Sequence, residues 1–214
     1  IKGTGLSALA ELLVGLGSRV SGSDTGETFY TDSILRKLGI PFVESFESDL
    51  LPPDTDWVVH SAAYDPTAHP QLREAERRGI PVVTYPEALG MISARQTAIG
   101  IAGVHGKSTT TAMAGTVANS LELPVSVIAG TAVPTFGNCS TLVRGDRYLI
   151  AETCEWRRHF LNFHPRCIVI TSVELDHPDF FDDYESVREA FVEYAMLLPN
   201  AGTLIYCSDD DGAV

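Results

Sequence analysis

Apolar positions in the first half of the chain switch repeatedly between helical and strand spacing. Leu6, Leu9, Ala10, Leu13 and Leu16 recur every three or four residues and stop at Gly17, which predicts an opening helix. The stretch RVSGSD predicts a short strand with a polar exit. Ile34, Leu35 and Leu38 predict a second helix closed by Gly39. DWVVHSAA reads as a buried strand, Leu72 and Ala75 with the exit RRGIP as a third helix, and PVVTY as another strand. PEALGMIS reads as a short helix with proline in its first turn.

The series restarts after SARQTA, residues 93–98. A strand TAIGIAG leads into a glycine loop and a helix over Lys107–Leu121. The strands VSVIAG, RYLIAET and RCIVITSV follow, then a helix from Tyr184 to Leu198 and the strand TLIYC. Val187, Ala190, Phe191, Tyr194 and Ala195 share one face of that last helix. Strands alternating with helices imply parallel sheets covered on both faces. The expected fold is α/β: a Rossmann-like unit over 1–97 and a P-loop unit over 98–214.

Composition narrows the function. At 44% hydrophobic and 20% charged residues the chain is an ordinary globular one. The net charge of −13 repels polyphosphate backbones and argues against a nucleic-acid partner. No apolar run is long enough to span a bilayer, which argues against a membrane role. Cys139, Cys154, Cys167 and Cys207 form no C-x-x-C pair, so they read as reduced thiols of a cytoplasmic protein, with Cys167 and Cys207 packed in the core. The chain starts without Met and stops after a charged turn, as a piece of a longer protein does.

Candidate chemistry sits at the ends of the predicted strands. GVHGKST, residues Gly103, Val104, His105, Gly106, Lys107, Ser108 and Thr109, lies between a strand and a helix. Its two glycines enclose two residues, where the usual phosphate loop has four. The physics is unchanged: loop N–H groups point inward, Lys107 brings a mobile charge, Ser108 offers a hydroxyl to Mg²⁺ and Thr109 one to phosphate. His105 reads equally as a substrate contact and as a filler of the turn. YLIAETCE brings up Glu152 and Glu155, and IVITSVELDHPD brings up Glu174, Asp176 and His177. Glu152 reads as a metal ligand or a turn cap, and His177 as a ligand or a partner of Asp176, since Mg²⁺ seldom takes imidazole. In the first unit, Gly3, Thr4, Gly5 and Leu6 form a strand-to-helix turn able to approach a phosphate. Asp24 and Ser61 end two further strands. Asp24 stands where a Rossmann carboxylate reaches a ribose and equally where a turn is capped.

The order and separation of GVHGKSTTT, AETCE and VELDHPDFF resemble the Mur ligases, ATP-dependent enzymes that extend the peptidoglycan precursor. The short phosphate loop is that family's own form. The resemblance implies that Gly103 to Thr109 bind ATP, that Lys107 and His177 are catalytic, and that Ser108, Glu152 and His177 hold Mg²⁺. It implies that Gly3, Thr4, Gly5, Leu6, Asp24 and Ser61 bind the sugar nucleotide. The opening glycines and VVHSAA point to the branch acting on UDP-N-acetylmuramate, with L-alanine as the amine. The branch that recycles UDP-N-acetylmuramate onto a tripeptide is the alternative, and a non-catalytic nucleotide sensor is the alternative from another class. The family's third, C-terminal domain is absent from this stretch, which alone is expected to bind substrate without turning it over. Many alanine-adding members read EADES where this chain reads ETCEW, so no role carries over to Glu155, Arg157, Arg158 or His159.

Overall fold

A computed structural model describes residues 1–214. The chain divides into two compact units, Ile1–Ala88 and Leu89–Val214.

The first unit opens with α1 (Thr4–Gly15), whose buried face includes Ala8, Leu9 and Leu12. Next come β1 (Gly22–Ser23), α2 (Thr31–Lys37), β2 (Phe42–Val43), β3 (Val58–His60), α3 (Pro70–Arg77) and β4 (Val82–Thr84). β1 pairs in parallel with β2, and β3 in parallel with β4, as two separate two-stranded ladders. The strands are shorter than RVSGSD and DWVVHSAA predicted: β1 leaves out Arg19, Val20, Ser21 and Asp24, and β3 leaves out Asp56, Trp57 and the exit Ser61, Ala62 and Ala63. Ala10, Leu35 and Ile40 form a small core with Ile1, Val14, Val20, Leu38 and Phe42. Beside it lies a fully buried cation. Lys2 Nζ donates to Thr25 O (3.0 Å), Glu27 O (2.7 Å) and Glu44 Oε1 (2.9 Å), and Asp32 stands 3.4 Å away. Burial pulls its pKa down, and Glu44 and Asp32 outweigh that and raise it. α4 (Tyr85–Ser93) follows β4 directly.

The second unit contains β5 (Thr97–Ala102), α5 (Lys107–Ser120), β6 (Val125–Val133), β7 (Cys139–Val143), β8 (Tyr148–Glu152), β9 (Cys167–Ile170), α6 (Tyr184–Ala195) and β10 (Thr203–Tyr206). These strands form one six-stranded sheet in the order β10-β9-β5-β8-β6-β7. All neighbours are parallel except the edge pair β6–β7. The predicted parallel series therefore ends in an antiparallel hairpin, which periodicity did not reveal. β6 buries Val125 through Ala129 without a break, as a strand covered on both faces does. Val125, Val127, Ile150, Ile101 and Phe136 build the core, and Gly115 lets α5 close on it, since a Cβ there would stand 2.7 Å from the Phe136 ring.

α6 begins on a capping box: Asp183 accepts from Ser186 N, and the Ser186 hydroxyl reaches back to Asp183 N. Tyr194 on its buried face stacks on Phe160 at 4.4 Å and shares a 3.1 Å hydrogen bond with Thr153 Oγ1. Burial pushes the Tyr194 phenol pKa up. Neither cysteine expected in the core is fully packed: Cys167 is half-buried, and Cys207 is exposed because the edge strand β10 before it is itself exposed. No helix is long and apolar enough to cross a membrane.

Candidate phosphate and metal site

β5 ends at Ala102 and the chain turns through Gly103–Gly106 into α5. Gly103 has φ 133° and Gly106 φ 85°, both in the left-handed region that favours glycine. At Gly103 the space is also closed: an added Cβ would collide with Thr171 Oγ1 and lie 2.8 Å from Ser172 N. Gly106 caps α5 with no side-chain cap, so the N–H groups of the helix's first turn face the loop with the positive end of the helix dipole. Thr171 and Ser172, just past β9, hold the loop in place. Thr171 Oγ1 donates to His105 O (2.5 Å), Ser172 Oγ accepts from His105 N (3.0 Å), and Ser172 O accepts from Val104 N (3.1 Å). The sequence reading overlooked both; their signal was a pair of hydroxyl residues at a strand exit, TSVELDH. The His105 side chain is exposed, 4.0 Å from Glu174. Thr109 is exposed on the first turn of α5.

Two of the three expected metal ligands meet. Ser108 Oγ donates to Glu152 Oε2 at 2.7 Å, joining the start of α5 to the end of β8. Gly130 N donates to the same carboxylate oxygen at 2.9 Å. This approach needs glycine, because a Cβ at residue 130 would lie 2.6 Å from both Glu152 oxygens. His177 lies elsewhere in the cluster. Its Nε2 is 3.4 Å from Glu155 Oε1 and 3.8 Å from Asp176 Oδ2, while the His177 backbone N–H donates to Asp176 Oδ1. His177 thus neighbours Asp176 and Glu155.

Glu155 is the centre that sequence reasoning left without a role. It is 1% exposed, and both its oxygens lie 3.2 Å from Lys107 Nζ. Lys107 also donates to Gly103 O at 2.5 Å, folding back over its own loop. The chain around Glu155 is strained: Arg157 (φ 48°), Arg158 (φ 57°) and His177 (φ 54°) all occupy the left-handed region without being glycine. Local contacts hold them there. The Arg157 guanidinium covers the Trp156 ring at 4.7 Å, Trp156 Nε1 donates to Asp179 Oδ2, and Arg158 pairs with Glu193.

In the first unit, Gly3 is the N-cap of α1 without a side-chain cap, and an added Cβ there would meet nothing within 4 Å. Thr4 Oγ1 accepts from Tyr30 OH at 3.1 Å, Gly5 faces the Tyr85 ring, and Leu6 is half-buried. Asp24 is turned toward the start of the chain, accepting from Lys2 N at 2.7 Å and capping Thr25 N. Ser61 Oγ accepts from Ala63 N, closing its own turn. The Asp24 contacts are those of a turn cap, one of its two readings.

A parallel sheet whose strand feeds a glycine turn, a lysine and a helix, beside a serine–carboxylate pair, defines a phosphate-loop nucleotide-binding protein. The chain belongs to the Mur ligase family. Residues 1–97 match the model of the Mur ligase family catalytic domain, and residues 101–213 that of the Mur ligase middle domain. The chain is 53% identical over 212 residues to a UDP-N-acetylmuramate–L-alanine ligase of Treponema pallidum, covering 99% of this chain and 44% of that protein. It is 42% identical over 214 residues to the ligase of the same name from Borreliella burgdorferi, covering 99% and 46%. Among solved structures, the UDP-N-acetylmuramate–alanine ligase of Thermotoga maritima superposes with a TM-score of 0.80 at 25% identity, over 99% of this chain and 48% of that one. The chain spans less than half the length of these curated relatives.

Proposed function

We propose that this chain provides the UDP-sugar domain (1–97) and the ATPase domain (98–214) of a ligase joining L-alanine to UDP-N-acetylmuramate. The observation that carries this is the meeting of the Gly103–Gly106 turn, Lys107 and the Ser108–Glu152 pair in one cluster, in a chain 53% identical to a ligase of that name.

A carboxylate is a poor acyl donor, and ATP activates it. A lactyl carboxylate oxygen attacks the γ-phosphorus, the bond to the bridging oxygen breaks, and ADP leaves. The amine nitrogen of L-alanine then attacks the acyl carbon, phosphate departs with the C–O electron pair, and the amine loses a proton. Such transfer needs positioning and charge neutralisation above all. The first-turn N–H groups of α5, with those of Gly103 to Thr109, cradle phosphate oxygens. Lys107 moves from Gly103 O and Glu155 to the β- and γ-phosphates. The hydroxyl of Ser108 and the carboxylate of Glu152 are hard oxygen donors already 2.7 Å apart, a set that suits Mg²⁺, with His177 as a further ligand. Bound there, Mg²⁺ would neutralise phosphate charge. The open N-terminus of α1 at Gly3, Thr4, Gly5 and Leu6 receives the UDP phosphates, and Asp24 and Ser61, just past β1 and β3, are further contacts for the sugar nucleotide.

The test replaces the matching 212 residues of the Treponema pallidum ligase with this chain. ADP release that depends on both UDP-N-acetylmuramate and L-alanine is the expected result. Release that depends on the tripeptide instead would assign the recycling reaction. A folded chimera that binds ATP and forms no amide with either amine would leave only a nucleotide-binding role.

A further inference from the structure

The turn that leaves β8 presents a guanidinium at the sheet edge where the phosphate loop begins. Residues 156–159 read WRRH. Arg157 (φ 48°, ψ 26°) and Arg158 (φ 57°, ψ 30°) are consecutive left-handed residues with side chains, a conformation that persists only where the surroundings impose it. Arg158 is tied to Glu193 at 2.5 Å. Arg157 is exposed, and its guanidinium lies on a ring instead of a carboxylate, 4.7 Å from the Trp156 centroid. Trp156 is pinned beneath it: Nε1 donates to Asp179 Oδ2 at 3.0 Å, and His159 packs edge-on at 5.1 Å. Stacking uses the flat face of a guanidinium and leaves its in-plane N–H fork for another partner. Burial, and then the charge of Arg157, hold the His159 imidazole below its ordinary pKa, so the mobile charge of this turn is Arg157.

Position gives the fork its task. β8 lies beside β5 and parallel to it, with Glu152 opposite Ile101, so the turn after β8 and the glycine loop after β5 leave the same edge of the sheet. Ligands of open α/β sheets bind at that edge. On the ligase reading, on which this inference rests, a carboxylate must reach the γ-phosphate held by the loop. The phosphates have the loop N–H groups, Lys107 and a divalent cation to neutralise them, whereas the carboxylate has no partner. We infer that Arg157 grips the carboxylate to be activated and so selects an acidic sugar nucleotide over a neutral one. A guanidinium fork matches the two oxygens of a carboxylate and fixes its plane, while each oxygen keeps a lone pair for attack on phosphorus. The ring beneath Arg157 holds the fork in place before the substrate arrives, and the left-handed turn aims it.

Calorimetric titration of the 214-residue chain with two ligands reads this grip. UDP-N-acetylglucosamine carries a hydroxyl where UDP-N-acetylmuramate carries the lactyl carboxylate. The unaltered chain should prefer UDP-N-acetylmuramate by about tenfold or more, as a charge-assisted bond provides. Arg157→Gln should erase that preference and leave the binding of UDP-N-acetylglucosamine and of ATP unchanged. Arg157→Lys should restore part of it, and Arg158→Gln should keep it. Arg157→Gly suits the left-handed backbone, so it should melt no lower than the unaltered chain and still lose the preference. No preference in the unaltered chain, a preference retained in Arg157→Gln, an equal loss for both sugars, or a fall in ATP affinity instead would overturn the grip and leave the ligase reading standing. A chain that binds neither sugar nucleotide would overturn that reading as well.

Discussion

The ammonium of Lys107 rests 3.2 Å from both carboxylate oxygens of Glu155, a residue only 1% exposed. Lys107 is therefore held by an internal anion in the position from which it would reach phosphate. Lys107→Ala should abolish ATP binding and ADP release while leaving binding of UDP-N-acetylmuramate nearly intact, as calorimetric titration with each ligand would read. It should also destabilise the second unit by about 3 kcal/mol, because it leaves a buried carboxylate without its cation. Adding Glu155→Gln should restore much of that stability in urea melts and none of the ATP affinity. Normal ATP affinity in Lys107→Ala would remove the role assigned to this lysine.

Gly130 is where a backbone N–H and a carboxylate share one small space. A methyl group at residue 130 must push Glu152 away from Gly130 N and from Ser108, since it would lie 2.6 Å from both Glu152 oxygens. Gly130→Ala should weaken Mg²⁺-dependent nucleotide binding by about tenfold or more, an orienting contact being lost. Binding measured in EDTA should change much less. Equal losses with and without Mg²⁺ would mean that Glu152 serves the fold rather than the cation.

The sequence made legible what is local in the chain. The helix spacing of Leu6 to Leu16 gave α1, and the contiguous GVHGKS gave the glycine turn, because both signals lie within a few residues. Glu155 was obscure because its partner Lys107 is 48 residues away, and Gly130 because Glu152 is 22 residues away. Thr171 reaches His105 across 66 residues. Edge strand β7 was hidden by its composition: Ser140 and Thr141 are buried, so polar letters stand at core positions. In the acidic stretch after β9, Asp183 caps α6 and Asp179 accepts from Trp156 23 residues away, pairings that composition alone does not show.

Tyr194 closes over β5 at Gly100, where the strand has no side chain. A Cβ at Gly100 would collide with the Tyr194 hydroxyl and stand 3.3 Å from the Phe163 ring. Gly100→Ala should cost about 1–3 kcal/mol by overpacking. Tyr194→Phe alone should cost about 1 kcal/mol for the lost bond to Thr153. Because the hydroxyl is the atom in the way, the double variant should be more stable than the sum of the two losses predicts. Denaturant melts of the four proteins give the coupling, and strict additivity would show that the strand shifts instead.

Glu87 offers a pH test confined to the first unit. Its carboxylate accepts from Thr84 N and Thr84 Oγ1, both at 2.7 Å, returning from the first turn of α4 to the residue before it. The Thr84 N–H, then its hydroxyl, hold the Glu87 pKa below the ordinary 4.5, with His60 adding to the effect. A depressed carboxylate stabilises the fold above its unfolded pKa and loses that contribution as pH falls through the folded value. Wild-type protein should therefore exceed Glu87→Gln in stability at pH 6, by about 0.5 kcal/mol because the exposed carboxylate is screened by solvent. The difference should shrink steadily below pH 4.5 as Glu87 takes up its proton. Thermal melts of both proteins from pH 6 to about pH 3 would follow it, and a gap that stays constant across that range would show that the carboxylate's charge plays no part in capping α4.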